Sequence, residues 1–407
     1  MIHFDQEHKN LIGSLQDAQR KHQELLRDVE GATARLELRK AKLLKLEAFI
    51  ARLERHLAAP NEQPSVPSVQ GDDKLKQAQL IFNPSSGTDD GDSAMRLAEI
   101  VATLRRHGIA ANIGIKTSGK GARAMARDAV RSGLPLVVVV SGDGTIEEVA
   151  SQLVGSSTVL GIVPNGTMNN LARSLGIPLD IESACALIGM GTVRHIDVGR
   201  VFSGDPTDSR YFLECGGVGL GALATLAGEA LQKKRWQLFS KVLGRAFSAT
   251  PVNIRVEMDD VTLEPSTAIV TVSNAPMMGH NLLVAPDARM DDGLLDVAVY
   301  DGMGTGELIK HLKAMSDGKT ERVPTYRTRR VSISCEAALP ANADDKELPS
   351  ERRMIEIEVM PGALSVIVGK GFALTVPVES APTPTEKPLG EKGVSGPAED
   401  EDARQAG

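Results

Sequence analysis

Two short apolar runs, each followed by a glycine loop, constrain the fold more than any other feature of this sequence. Residues 136–140 lead into Ser141-Gly142-Asp143-Gly144-Thr145, and residues 159–163 lead into the loop 164–170. Uninterrupted β-branched runs are typical of strands buried on both faces of a parallel sheet. Glycines just past such strands let backbone N–H groups approach an anion, and an adjacent acid can meet a phosphate-bound metal ion. The pattern predicts a nucleotide phosphate site at the carboxyl edge of an α/β sheet.

Strand and helix patterns alternate through the first half of the body. Strands are predicted at 80–82, 110–116, 136–140 and 159–163, with helices at 92–107, 119–132 and 146–154 between them. This order predicts a doubly wound parallel sheet over residues 77–200, whose ligand crevice lies beyond the strand carboxyl ends. After residue 200 the pattern changes to short β-type runs separated by turns: 252–258, 267–273, 294–300, 329–335, 354–360 and 363–368. A second, β-rich domain is therefore expected over residues 201–378.

Two flanking segments have different compositions. Residues 5–58 carry a heptad seam that includes Leu15, Leu36, Leu43 and Leu57, which predicts a coiled-coil helix and a homodimer rather than a helix packed on the body. Residues 59–76 are a linker with Pro and Gly, and residues 379–407 are rich in Pro, Glu, Gly and Ser, which is typical of a disordered tail.

Composition limits the kind of partner and compartment. The 407-residue chain has a formal net charge of -7, so nucleic acid is not expected as a partner. The three cysteines are scattered, no secretory signal opens the chain, and no apolar run could span a bilayer. These features predict a cytoplasmic protein whose contact with a membrane, if any, is peripheral to its inner face.

Three loops that follow predicted strands are expected to converge as one phosphate cradle. The candidate nucleotide-binding residues are Asn83, Pro84, Ser85, Ser86, Gly87, Thr117, Gly142, Asp143, Gly144, Thr145, Ile146, Glu147, Glu148, Gly166 and Thr167. The helix that begins near Ile146 would direct its N-terminal dipole at the anion. Asp143 is the candidate ligand of nucleotide-bound magnesium. The stretch 114–121 is not a P-loop, because Gly121 has no hydroxyl for magnesium.

The motifs closely resemble the diacylglycerol kinase catalytic domain family, which includes sphingosine, ceramide and bacterial lipid kinases. The resemblance is carried by Asn83-Pro84-x-Ser86-Gly87, the Gly-Asp-Gly-Thr loop at 142–145, and the segment 164–173. It continues through 217–219, 285–288 and 291–297, and covers roughly residues 78–376. It implies an α/β nucleotide domain, a β-sandwich domain and an active site between them, with transfer of the γ-phosphate of ATP to a lipid hydroxyl. It also supports the nucleotide-binding set given above.

The resemblance implies further metal and catalytic residues. A structural magnesium site near the Asp-Gly-Leu-Leu-Asp segment would use Asp292 with backbone oxygens of Arg289 and Leu294. The alternative for Asp291-Asp292-Gly293 is a plain hairpin turn. The family's catalytic base lies in a late Asp-Gly-Glu turn. Asp345 and Glu347 keep that spacing, so Asp345 is the expected base and Glu347 would orient it or help to hold a metal. A solvated acidic loop is the alternative for this segment.

Two residues depart from the family pattern. Ser141 stands where glycine is usual, which would cost on the order of 1 kcal/mol if that position required a positive φ. Lys346 stands between the two acids in place of glycine. It could lower the pKa of a neighbouring carboxyl, reach a phosphate, or mark a weakened catalyst.

A basic, apolar segment at 232–247 suits an anionic membrane surface, although a helix packed on the β domain would share its pattern. The sequence therefore predicts an ATP- and Mg²⁺-dependent lipid kinase acting on a diacylglycerol-like or sphingoid alcohol. The alternatives are an NAD-kinase-like enzyme with a soluble substrate, and a nucleotide-binding scaffold that assembles through residues 5–58.

Overall fold

The computed structural model describes most of the body of the chain. The described residues are 75–87, 93–116, 121–219, 252–267, 269–278, 282–303, 323–336, 341–344, 346–348 and 353–372, with isolated positions between 23 and 51 and at 307, 310 and 311. The predictions for residues 59–74, 232–247 and 379–407 lie outside these ranges, and the coiled-coil prediction lies mostly outside them. Within the described residues, no helix is long and apolar enough to cross a membrane.

The first half alternates strands and helices as its hydrophobic pattern predicts. Its elements are β1 (Gln77–Phe82), α1 (Ser93–Arg106), β2 (Ala110–Ile115), α2 (Gly121–Arg131), β3 (Leu136–Ser141), α3 (Asp143–Leu153), β4 (Val159–Pro164), α4 (Asn170–Ser174), α5 (Ile181–Met190) and β5 (Thr192–Phe202). Strands β4, β3, β1 and β2 are neighbours in that order, and all of these pairs are parallel. Every residue of β3 and β4 is buried, as expected for central strands covered on both faces.

The second half is built mainly from antiparallel strands. They are β6 (Arg210–Phe212), β7 (Cys215–Val218), β8 (Val252–Met258), β9 (Thr262–Leu263), β10 (Ser266–Thr267), β11 (Val270–Ser273), β12 (Met277–Met278), β13 (Leu282–Leu283), β14 (Leu295–Val299), β15 (Thr325–Thr328), β16 (Arg330–Cys335), β17 (Ala341–Ala343), β18 (Lys346–Glu347) and β19 (Met354–Val368). A six-stranded sheet has the order β15-β14-β11-β7-β17-β18. Its apolar side chains share one core with those of β8, β16 and β19, so two sheets face each other as a sandwich.

Two long strands connect the halves. The last two β runs predicted from sequence form the single strand β19, with an irregularity between Met360 and Leu364. One end of β19 pairs with β4 through Val366 and Leu160, and its other end pairs with β16. Strand β5 runs beside β19 and crosses the boundary predicted near residue 200. An 11-stranded sheet therefore continues from the α/β half into the sandwich.

Candidate active site

The loops that leave β1, β2, β3 and β4 meet at one edge of the sheet, because these strands are parallel neighbours. Backbone hydrogen bonds hold the loop starts together: Asn83 N–H donates to the Val140 carbonyl at 3.1 Å, and Asn165 N–H donates to the Ser141 carbonyl at 2.8 Å. Lys116 N–H, just after β2, donates to the Phe82 carbonyl at 2.8 Å. The structure thus brings together the predicted loops 83–87, 142–148 and 166–167. Thr117 lies outside the described residues.

Helix α3 begins at Asp143, three residues earlier than predicted, directly after the extended Gly142. Its N-terminus therefore opens onto the glycine loops, where the helix dipole favours an anion. Among the described residues, no side chain caps this end by a hydrogen bond. Ile146 contributes nothing to the site through its side chain, which is fully buried in the core.

Gly142 and Gly166 pack backbone against backbone. A Cβ atom added to Gly166 would lie 2.5 Å from the Gly142 Cα, and one added to Gly142 would lie 3.0 Å from the Gly166 Cα. The loops after β3 and β4 therefore approach as closely as they do only because both residues are glycine.

We expect Gly166→Ala to separate these loops and to weaken ATP binding by about tenfold or more, since overpacking of this kind costs on the order of 1–3 kcal/mol. The matched control is Gly371→Ala, whose added Cβ would have its nearest neighbour at 3.7 Å. Titration calorimetry with ATP measures both variants. Equal affinities for the two would contradict a role for this contact in holding the nucleotide.

A polar network lies beneath the glycine loop. The Asn83 side-chain amide donates to Ser141 Oγ at 3.1 Å and to Thr145 Oγ1 at 3.4 Å. Lys116 Nζ donates to Thr145 Oγ1 at 2.8 Å and pairs with Glu148 Oε2 at 3.0 Å. The Lys116 and Glu148 side chains are only 15% and 18% exposed. The Lys116 ammonium group is therefore held among the loops that follow β1, β2 and β3.

Ser141 fits this position without backbone strain. It is the last residue of β3, it is buried, and among the described residues only Asn169 and Asp344 are non-glycine residues with positive φ. Its hydroxyl accepts the Asn83 amide, so the departure from glycine adds a hydrogen bond to the loop.

Asp143 lies half-buried where α3 meets α4. Its Oδ1 accepts the Leu171 N–H at 3.4 Å, and burial raises the pKa of its carboxyl against the opposing effect of backbone N–H groups. An aspartate oxygen beside phosphate-binding loops is the hard ligand that Mg²⁺ takes. The residue present therefore fits the predicted metal role.

Arg96 and Asn165 were missed by sequence reasoning. Arg96 Nη1 donates to Asn165 Oδ1 at 3.1 Å, and Asn165 Nδ2 donates to Ser86 Oγ at 2.8 Å, which ties α1 to the loops after β1 and β4. A pocket of about 540 Å³ opens beside them. Asn165 lies within the segment 164–173 that resembles the family, where the motif Pro164-x-Gly166-Thr167 leaves its position unspecified, so only the contact reveals its role.

The acidic turn of the sandwich is a tight hairpin between β17 and β18. Asn342 pairs with Glu347 and Ala343 with Lys346, so Asp344 directly follows the last paired residue of β17. Asp344 is buried with φ 51°, and its carboxylate accepts backbone N–H groups of residues 213–215 at 2.8–3.1 Å. Burial raises the pKa of Asp344 to about 6, against the opposing N–H groups and Lys346. Asp345 lies outside the described residues, and Glu347 is exposed.

The hairpin register offers a second alignment of this turn. In a two-residue hairpin loop an Asp-Gly pair occupies the two loop positions, and both take positive φ. Asp344 then corresponds to the aspartate of the family's turn, Asp345 to its glycine, and Lys346 to its glutamate. Asp344 is therefore a candidate base that the Asp-x-Glu spacing missed.

The predicted structural metal site contains a competing cation. Asp292 Oδ1 accepts the Leu294 N–H at 3.0 Å, and Asp292 Oδ2 is contacted by the Arg327 guanidinium. Arg327 also lies 3.8 Å from Asp296 Oδ1, and Arg289 is exposed nearby in sequence. A cation bound to Asp292 would have to displace Arg327, so this donor set does not fit magnesium as it stands. Within the described residues, no group of three or more His, Cys, Asp or Glu side chains could hold a metal.

Comparison with known families matches both halves of the chain. The diacylglycerol kinase catalytic domain matches residues 77–201, and the YegS C-terminal NAD kinase beta sandwich-like domain matches residues 218–368. The chain therefore belongs to the diacylglycerol kinase catalytic domain family. It is a phosphotransferase that acts on an alcohol group, of the lipid kinase kind, and this family uses ATP.

Individual relatives agree. A diacylglycerol kinase of Bacillus subtilis is 26% identical over 281 residues, which cover 66% of this chain and 89% of that protein. A Stenotrophomonas maltophilia protein named "Probable lipid kinase YegS-like" is 27% identical, covering 72% of this chain and 97% of its own. The crystal structure of a diacylglycerol kinase from Bacillus anthracis superposes with a TM-score of 0.58 at 23% identity, covering 74% of this chain and all of that one. That structure supports the fold.

Proposed function

We propose that the protein transfers the γ-phosphate of Mg-ATP to a hydroxyl of a diacylglycerol-like or sphingoid lipid at the surface of a membrane. The observation that carries the proposal is the position of the acidic hairpin. Lys346 in that hairpin reaches α3, the helix that begins at the glycine loop, with 3.5 Å between Lys346 Nζ and Glu147 Oε2. This contact supports a candidate base close to the candidate phosphate site.

Two sets of residues would bind Mg-ATP, one holding the phosphates and the other the magnesium ion. Backbone N–H groups of the loops at 83–87, 142–145 and 166–167, together with the N-terminus of α3, would bind the phosphates. Asp143 would hold the magnesium ion, which supplies charge stabilisation to the transferring phosphoryl group. Because the Arg327 guanidinium already contacts the Asp292 carboxylate, no second metal is assigned to Asp292.

A carboxylate of the turn at Asp344-Asp345 would act as the general base. It would accept the proton of the lipid hydroxyl as that oxygen forms a bond to the γ-phosphorus and the bond to ADP breaks. The pKa of about 6 suits Asp344 to this role at neutral pH, because most of its carboxyl is then ionised. Asp345 keeps the same role by the spacing argument, and Glu347 would orient it from the following strand.

The substrate class is tested by incubating the full chain with γ-labelled ATP, Mg²⁺ and separate acceptors: diacylglycerol, a sphingoid base, and NAD. Label in either lipid and not in NAD supports the proposal. Label in NAD alone would favour the NAD-kinase-like alternative. ATP binding without transfer to any acceptor would favour the scaffold.

We also propose that residues 5–58 form a homodimer. Val29, seven residues before Leu36 in the same heptad seam, and Leu36 itself are 60% and 52% exposed on the single chain, as expected for a seam that needs a partner. Deletion of residues 1–74 should convert a dimer into a monomer by analytical ultracentrifugation, with ATP affinity unchanged. A monomeric full-length chain would contradict the dimer.

A further inference from the structure

Lys346 links the two halves of the candidate active site. It lies in β18 of the acidic hairpin, and Glu147 lies in the second turn of α3, 199 residues away in sequence. The pair has an N–O distance of 3.5 Å, with side chains 36% and 8% exposed. The contact therefore joins the strand that follows the candidate base to the helix that follows the glycine loop.

Lys346 places a positive charge beside the largely buried carboxylate of Glu147. A buried carboxylate without compensation is costly, and its negative charge would also oppose a nucleotide bound at the start of the same helix. The next residue, Glu148, is paired in the same way with Lys116. Two consecutive acids of α3 are thus each paired with a lysine, one from the α/β half and one from the sandwich.

The geometry points to Lys346 as a positioning residue for phosphoryl transfer, which fixes the hairpin of β17 and β18, and with it Asp344, against α3 at the spacing that transfer requires. This inference rests on the proposed function. By the Asp-x-Glu spacing Lys346 takes the place of the family's glycine, which has no side chain to reach Glu147. By the hairpin register it takes the place of the family's glutamate, which would repel Glu147 as a like charge. Lys346 is then a structural link rather than the mark of a weakened catalyst.

The test uses full-length Lys346→Met, Lys346→Arg, Lys346→Glu and the charge swap Lys346→Glu/Glu147→Lys. We expect Lys346→Met to lower kcat for lipid phosphorylation by about tenfold or more, with less than a threefold change in KM for ATP, because misplacement of a catalytic group costs the chemical step. Lys346→Arg should keep most of the activity. The swap should be more active than Lys346→Glu alone. Lys370→Met, at an exposed lysine after β19, is the matched control and should behave as wild type.

An unchanged kcat in Lys346→Met, or a swap no better than Lys346→Glu, would overturn the positioning role. The Tm values of the variants distinguish a failure of the positioning role from a failure of the proposed function. If the two side chains interact, the Tm losses of Lys346→Met and Glu147→Gln should combine to less than their sum in the double variant. Additive losses would overturn the link itself. Non-additive losses with no lipid phosphorylation by wild type would instead overturn the proposed function and retain the link.

Discussion

Asp344→Asn should lower kcat for lipid phosphorylation by about 10²- to 10⁴-fold, the usual contribution of a general base. The amide cannot take the proton of the attacking hydroxyl. Its carbonyl oxygen can still accept backbone N–H groups in the 213–215 segment, but its NH₂ group must face one of the three donors that the carboxylate satisfies. Some loss of stability, about 1–3 kcal/mol, should accompany the loss of turnover.

Asp345→Asn is the matched comparison, because it changes the neighbouring aspartate in the sequence in the same way. Its effect on turnover assigns the base: a larger kcat loss in Asp344→Asn supports the hairpin register, and a larger loss in Asp345→Asn supports the Asp-x-Glu spacing. Calorimetric ATP affinity and Tm of both variants show whether each remains folded. If neither variant loses turnover, the turn is not the source of the base.

The pH profile gives a second measure of the same group. A base must be ionised, and burial raises the pKa of Asp344 to about 6. The value of kcat/KM should therefore be near its plateau at pH 7.5 and should fall about tenfold for each unit below pH 6. A profile flat down to pH 4.5 would show that a carboxyl with an ordinary pKa acts instead.

Lys116→Met should lower the free energy of unfolding by about 2 kcal/mol or more and should weaken ATP binding. The substitution leaves Glu148 largely buried without its cation and removes the donor that holds the Thr145 hydroxyl. Since Thr145 belongs to the glycine loop, the loss should reach the phosphate site. Urea unfolding and ATP calorimetry measure the two effects.

Arg255→Met is the control for Lys116→Met. Arg255 also pairs with carboxylates, Glu257 and Glu264, but all three side chains are 46–70% exposed. Such exposed pairs contribute about 0–1 kcal/mol. Equal losses in the two variants would contradict a special role for the buried pair. The double variant Lys116→Met/Glu148→Gln should recover part of the lost stability, because it removes the unpaired charge.

The parallel core was predictable because its signal is local. Runs such as 136–140 and 159–163 are continuous β-branched stretches, and the structure places strands there within one residue at either end. The convergence of the loops followed from strand direction alone. The boundary near residue 200 was harder, because β5 and β19 each pass from one half to the other and contribute side chains to both cores.

The parts of the site that sequence did not reveal depend on contacts between distant residues. Recognising the role of Ser141 required knowledge of its backbone conformation and of its hydrogen bond from the Asn83 amide, which is 58 positions away. The Lys346–Glu147 pair required the packing of the hairpin on α3. The alignment of the acidic turn required the register of β17 and β18, because four charged residues in a row permit more than one match to Asp-Gly-Glu.

The central claim is that one chain carries the γ-phosphate of ATP to a lipid hydroxyl. It is tested most directly by incubating γ-labelled ATP, Mg²⁺ and mixed vesicles of diacylglycerol and anionic phospholipid with wild type and with Asp344→Asn/Asp345→Asn, then extracting the lipid phase. We predict labelled phospholipid with wild type and at least a hundredfold less with the double variant, although both bind ATP. Equal lipid labelling by wild type and the double variant, or none by wild type with any lipid alcohol, would contradict the account.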